Sequence, residues 1–248
     1  MMRANIRSPC LVAAGLALSI GTAIAGPPYI SDDPEPTDYQ HFEIYAYTDG
    51  TTTRDGAAGE AGIDFNYGAA PDLQLTAVMP LGYESPAAAQ TTAGLGNIAL
   101  AAKYRFLHQS DFGFDVAVFP RLFLPSDWPY AGTRHTSFFL PVWIEKDWGD
   151  WSMFGGGGCE LNRGENSQNF CQAGWVLARK ILPDLQLGAE LFHQTADTRG
   201  GGATTGIGAG FIYDINENYH LMAYLGPGIQ NAAANDQNAW YAAIQFTF

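Results

Sequence analysis

Side-chain character alternates with period 2 along most of this 248-residue chain, and nothing else in it restricts the fold so strongly. In LQLTAVMPL (73–81), Leu73, Leu75, Ala77, Met79 and Leu81 share one face, while Gln74, Thr76, Val78 and Pro80 take the other. In NIALAAKYRF (97–106), Ile98, Leu100, Ala102, Tyr104 and Phe106 oppose Asn97, Ala99, Ala101, Lys103 and Arg105. Successive side chains of a strand point to opposite faces, so each segment reads as a strand between two different surroundings. The same reading predicts twelve strands, near 42–48, 60–68, 73–81, 96–106, 113–124, 136–148, 151–159, 171–181, 185–193, 205–213, 219–226 and 238–248. The weakest is 151–159, where Gly155 to Gly158 carry no pattern and mark a bend or a close approach.

The connections alternate as well. Long segments are expected at 49–59, 82–95, 125–135, 160–170, 194–204 and 227–237, with short ones between them at 69–72, 107–112, 149–150, 182–184 and 214–218. An even number of antiparallel strands with short turns at one end and long loops at the other is the pattern of an outer-membrane barrel. APDLQLTA (70–77) and LPDLQLGA (182–189) repeat one turn-and-strand chemistry, Pro-Asp followed by alternating leucines.

The opening 25 residues place Arg3 and Arg7 before an apolar run that ends in Ala23-Ile24-Ala25, which predicts a secretory signal peptide over 1–25. Cys10 does not read as a lipoprotein site, because the apolar stretch follows it. Removing Arg3 and Arg7 leaves 10 basic against 25 acidic residues, a formal charge of −15. That balance argues against nucleic acid and against adsorption to anionic lipid. After Ala25 the longest apolar run is the seven residues FFLPVWI at 138–144, far short of the roughly 20 that a spanning helix needs. Of the two structures that satisfy the backbone inside lipid, the closed barrel remains. The expected organisation is a signal peptide (1–25), an acidic periplasmic lead-in (26–40, with SDDPEP) and an all-β, antiparallel transmembrane barrel (41–248). Whether 26–40 enters the lumen instead is left open by the residues.

Aromatic residues gather at both predicted strand ends: Tyr67, Tyr104, Phe106, Trp148, Trp151, Tyr213 and Tyr219 near short turns, Tyr83, Trp128, Tyr130 and Trp240 near long loops. Two interfacial girdles follow. In YAAIQFTF, Ile244, Phe246 and Phe248 are expected to face lipid, with Phe248 at the barrel seam and the alternating run ending on Phe serving as an assembly signal.

Several blocks carry a family likeness: GPPYISDDPEPTDYQHFEIY (26–45), GIDFNYGAAPDLQL (62–75), KYRF (103–106), KDWGDWSMFGGGG (146–158), LGAELFHQTADT (187–198) and IYDINENYHLM (212–222). Through them the chain resembles an outer-membrane transporter family named for a MetA pathway of phenol degradation. The resemblance implies a channel-like role near aromatic catabolism and supplies no catalytic residues. Cys159 and Cys171 depart from the residues usual there.

Those two cysteines flank an eleven-residue loop and remain after export, where oxidation is allowed, so a disulfide is expected, with free thiols as the alternative. The histidines do not converge: His41, His108 and His220 fall near the short turns, His135 and His193 near the long loops. His193 and Asp197 read as a polar loop start rather than a metal site, and no metal or cofactor is expected. His135 and Ser137 have the spacing of a barrel lipase, but they share parity with Phe139, Trp143 and Glu145 and so face the lumen, away from bilayer substrates. Lys103, Arg105, Asp115, Phe119, Arg121, Trp143 and Glu190 are the inward lumen and selectivity candidates, beside Glu43, Asp64 and Phe123. The expectation is a passive channel for small solutes, aromatic or hydrophobic ones among them, that meets lipid, lipopolysaccharide and the assembly machinery. A closed structural or interaction barrel is the competing class.

Overall fold

The structure is a computed structural model and describes residues 28–126, 135–234 and 237–248. The predicted signal peptide, Trp128 and Tyr130 lie outside the described residues. The elements are β1 (Phe42–Thr53), β2 (Gly56–Ala70), β3 (Leu73–Pro86), β4 (Thr92–Leu95), β5 (Ile98–Leu107), α1 (Gln109–Phe112), β6 (Asp115–Val118), β7 (Arg121–Leu124), β8 (Ser137–Trp148), β9 (Trp151–Leu161), β10 (Phe170–Leu182), β11 (Leu185–Gln194), β12 (Thr204–Asn216), β13 (Tyr219–Gln230) and β14 (Asn238–Thr247).

Every pairing between these strands is antiparallel, and β1 bonds to both β2 and β14, so the sheet closes on itself. Both β4 and β5 pair with β3, and both β6 and β7 pair with β5 and β8, so each couple is one interrupted stave. The result is the closed twelve-stave barrel that the alternation predicts. The interruption between β6 and β7 falls at Phe119-Pro120, where proline has no N–H to give to a ladder. In β9 the alternation holds over Trp151–Phe154 and lapses at the four glycines, which carry no side chain; Gly155 and Gly156 there have φ of 154° and 143°.

Four of the five tight turns hold two residues, 71–72, 149–150, 183–184 and 217–218, and the fifth contains the one-turn helix α1. The loop expected at 49–59 is different. Here β1 and β2 pair through Asp49↔Glu60 as far as Thr53↔Gly56, leaving only Arg54 and Asp55 as the turn. The run Thr51-Thr52-Thr53 favours extended backbone, and the Thr53 hydroxyl accepts the Asp55 N–H at 3.2 Å to start the reversal.

Outward side chains form an apolar belt that includes Leu75, Met79, Leu81, Leu100, Leu140, Trp175, Leu191, Leu225 and Ile244. Leu81 and Leu225 are 61% and 60% exposed, which is stable only against hydrocarbon. Exposed Phe106, Phe112, Trp148, Trp151, Tyr213 and Tyr219 ring the tight-turn end. Phe248 sits in the same ring, exchanging backbone hydrogen bonds with Phe42 at 2.7 and 3.1 Å and closing the seam. Phe246 meets Tyr219 edge to face at 5.5 Å.

The expected periplasmic lead-in requires correction. Residues 28–37 lie inside the barrel, because their acidic and amide groups find partners on the inner wall of β3, β5, β7 and β11.

Candidate functional site

Three prolines, Pro28, Pro34 and Pro36, keep the entering segment extended, and we call it the strap. An extended segment inside a barrel must find partners for its own amides. The carboxylate of Glu190 on β11 accepts the Ile30 and Ser31 N–H groups at 3.0 and 2.6 Å. Asp32 and Asp33 accept the N–H of Asp33 and Glu35, both at 2.9 Å. Gln74 on β3 accepts from the Thr37 N–H and hydroxyl at 2.8 and 3.1 Å, while its own amide donates to Asn66 at 2.6 Å.

Room for the strap comes from wall glycines. A Cβ at Gly188 would stand 2.2 Å from the Tyr29 hydroxyl, and one at Gly174 would stand 2.3 Å from Ser31 Oγ. Tyr29 therefore reaches between Phe154 and Tyr224, edge to face at 5.8 and 5.9 Å, and donates to the Gly210 carbonyl at 3.2 Å.

Asp32 is the strap's charged anchor. It is 1% exposed and takes Lys103 Nζ at 3.0 Å on one oxygen and Arg121 Nη2 at 2.8 Å on the other. Both cations also lie over the Phe119 ring, 5.0 and 4.2 Å from its centroid. Lys103 further reaches Asp33 at 3.4 Å and the Glu35 carbonyl at 3.1 Å. Enclosure by the barrel wall, and then the charge of Asp33, push the Glu35 carboxyl up to about 7, although its side chain is open to lumen water.

Three of the lumen candidates, Lys103, Phe119 and Arg121, thus meet at one place. The others separate. Arg105 belongs to the rim, paired with Asp72 at 3.0 Å and with Asp115 at 3.9 Å, and Asp72 also meets His108 at 2.9 Å. Trp143, 1% exposed, packs in an apolar cluster with Phe119, Phe123 and Phe139. Glu190 holds backbone rather than facing open lumen. Sequence reasoning missed Asp32 and Asp33, and the inward glycines of β10 and β11 were the signal that something had to lie against them.

Beside the strap is a cavity of about 360 Å³. Its wall combines carboxylates such as Glu35, Glu43 and Asp64 with Tyr45, Phe119, Ile212 and Met222. Toward the long-loop end, Cys159 and Cys171 face each other across β9 and β10 in a disulfide with Cα atoms 4.0 Å apart. Backbone bonds from Gln168 to Asp197 and from Arg199 to Asn166, at 2.7 and 2.8 Å, tie the two neighbouring loops together. His135 contacts Asn162 Oδ1 at 2.5 Å, whereas buried Ser137 bonds to Glu160. His193 contacts the Thr205 hydroxyl at 2.8 Å, and among the described residues no three His, Cys, Asp or Glu side chains converge on a metal position.

Residues 36–246 match the family described as "Putative MetA-pathway of phenol degradation". The chain belongs to that family. Among solved structures, an outer membrane channel from Pseudomonas putida F1 superposes with a TM-score of 0.71 at 15% identity, covering 87% of this chain and 98% of that one. The KdgM porin, solved with disordered oligogalacturonate, gives 0.57 at 12% identity over 84% and 99% of the two chains. The translocator domain of the autotransporter NalP from Neisseria meningitidis gives 0.50 at 13% identity over 85% and 89%. At these identities the likeness concerns the fold. No curated protein matches the chain. The family match begins at Pro36, so Tyr29, Asp32 and Asp33 lie outside it. With its apolar belt and this fold, the family member sits in the outer membrane of a Gram-negative bacterium.

Proposed function

We propose that the protein is a passive outer-membrane channel for small solutes, working without cofactor, energy coupling or catalysis. The observation that carries this reading is the cavity of about 360 Å³ inside a closed, bilayer-facing barrel, with charged and aromatic walls side by side. A polar interior gives a solute an alternative to the hydrocarbon outside. Phe119 and Tyr45 on that wall, together with the family's description, support small aromatic compounds as cargo. Ser137 is buried inside the barrel and bonded to Glu160, away from bilayer substrates, which speaks against the lipase alternative.

The strap favours one competing reading, a closed structural barrel, because it fills part of the bore. Planar-bilayer conductance and liposome swelling with small aromatic solutes decide between them. Current and swelling are expected, and an electrically silent, impermeable barrel overturns the channel reading. Phe246 and Phe248 are proposed as the signal read by the assembly machinery, and their replacement by alanine should lower the yield of membrane-inserted protein without changing its export.

A further inference from the structure

The channel reading leaves open which solutes pass, and the charges along the cavity bear on that. Seven carboxylates and two permanent cations line it. The cations are not available to an anionic solute. Lys103 and Arg121 are 5% and 4% exposed, and both are engaged by Asp32 at 3.0 and 2.8 Å. Of the remaining carboxylates, Asp33 shares Lys103 at 3.4 Å, whereas Glu43 and Asp64 are held by neutral donors, which orient a carboxylate without pairing it to a cation. The Tyr45 hydroxyl donates to Glu43 at 3.0 Å, and the Asn66 amide donates to Asp64 at 2.9 Å. Nearer the tight turns, Asp214 meets His220 at 2.7 Å.

We propose that Glu43 and Asp64, with Glu35 of the strap, make this channel select by charge, passing cationic and neutral aromatic solutes and turning back aromatic carboxylates. The inference rests on the channel reading and adds a solute class to it. Confinement strengthens the effect, because a cleft lined by one sign of charge raises the local concentration of counter-ions roughly tenfold or more. The apolar portion of the same wall, Ile212 and Met222 beside Tyr45, gives the ring of such a solute a surface to meet. Specificity therefore comes from carboxylates and apolar side chains lining one cavity.

The test uses the full-length, refolded protein and an isosteric pair of opposite charge, benzylamine hydrochloride and sodium benzoate. Reversal potentials in a KCl gradient should show potassium favoured over chloride by roughly fivefold or more, and liposomes should swell faster in benzylamine than in benzoate. Glu43→Gln and Asp64→Asn keep side-chain shape and should each reduce the preference at least about twofold, with the double variant approaching none. Current without a cation preference, or a preference untouched by both substitutions, overturns the charge selection and leaves the channel intact. No current and no swelling from a correctly folded barrel overturns both.

Discussion

The two ends of the strap are held by different physics. From Pro28 to Ser31 it is fixed by shape and by backbone: Tyr29 fills a slot made by Gly188 and Gly210, and Glu190 accepts two consecutive amides. From Asp32 to Thr37 it is fixed by charge, through Lys103 and Arg121, and by the Gln74 amide. The first end has no counterpart in water, since a glycine slot is useful only to the ring that fills it. The second end competes with hydration of every ion involved, and that competition decides whether a lumen segment stays or leaves. We therefore expect the strap to peel from its charged end while Tyr29 stays anchored.

Asp32→Ala should show the largest effect. It takes the carboxylate from buried Arg121 and leaves Lys103 with Asp33 and the Glu35 carbonyl, and breaking a buried ion pair by removing one partner costs about 3–5 kcal/mol. Arg121 then recovers solvation only by admitting water where the strap lay. Single-channel conductance should rise severalfold, with a lower thermal unfolding midpoint, while an unchanged conductance would show that the charged end does not restrict the bore. Gly188→Ala comes next. Its methyl would stand 2.2 Å from the Tyr29 hydroxyl and 3.2 Å from Ala178 Cβ, so the ring must leave its slot at a cost of about 1–3 kcal/mol. If charge alone secured the strap, this substitution would leave strap hydrogen exchange as it was.

The contrast also explains what the sequence made legible. Parity along the staves placed Lys103, Phe119 and Arg121 inward, because a strand's period is rigid and local. It also predicts the twelve staves, although it ends the first before the threonine run at 51–53, which extends the β1 ladder. For the strap, the residues leave open whether 26–40 enters the lumen, and its partners were not legible. SDDPEP has no periodicity, and Asp32 meets partners 71 and 89 residues away in the chain. Only inward glycines hinted at it, and an inward glycine in a barrel has other uses, as Gly156 beside Trp143 shows. Parity says which way Arg105 and Trp143 point, but not how high they stand. One proved to be a rim residue and the other a packing residue.

Glu190→Gln sharpens the comparison from the Tyr29 end. The two carboxylate oxygens each accept one strap amide, and glutamine replaces one of them with an NH2 donor, so one hydrogen bond is lost at a net cost of about 1 kcal/mol. Amide hydrogen exchange at Ile30 and Ser31 should quicken about fivefold, with exchange at Thr37 unchanged. Equal quickening at both places would mean that the strap moves as one piece and has no separable ends.

Acidity should have the smallest effect, and its sign follows from Glu35. Docked, this carboxyl sits near 7, raised by the enclosing wall and by Asp33, with Arg105 and Lys103 pulling the other way and Glu43 adding to the rise. A group whose proton is held more tightly in the docked state favours docking at low pH. Its contribution is complete below the ordinary value of 4.5 and fades as the pH passes about 7. Conductance should thus climb modestly between those limits, as the ionised Glu35 loosens the charged end and adds its charge to the lumen. Glu35→Gln should flatten that climb at the low-pH strap occupancy. A climb of the opposite sign in the wild-type protein would place the titrating group elsewhere, on a carboxylate that docking holds in its ionised form.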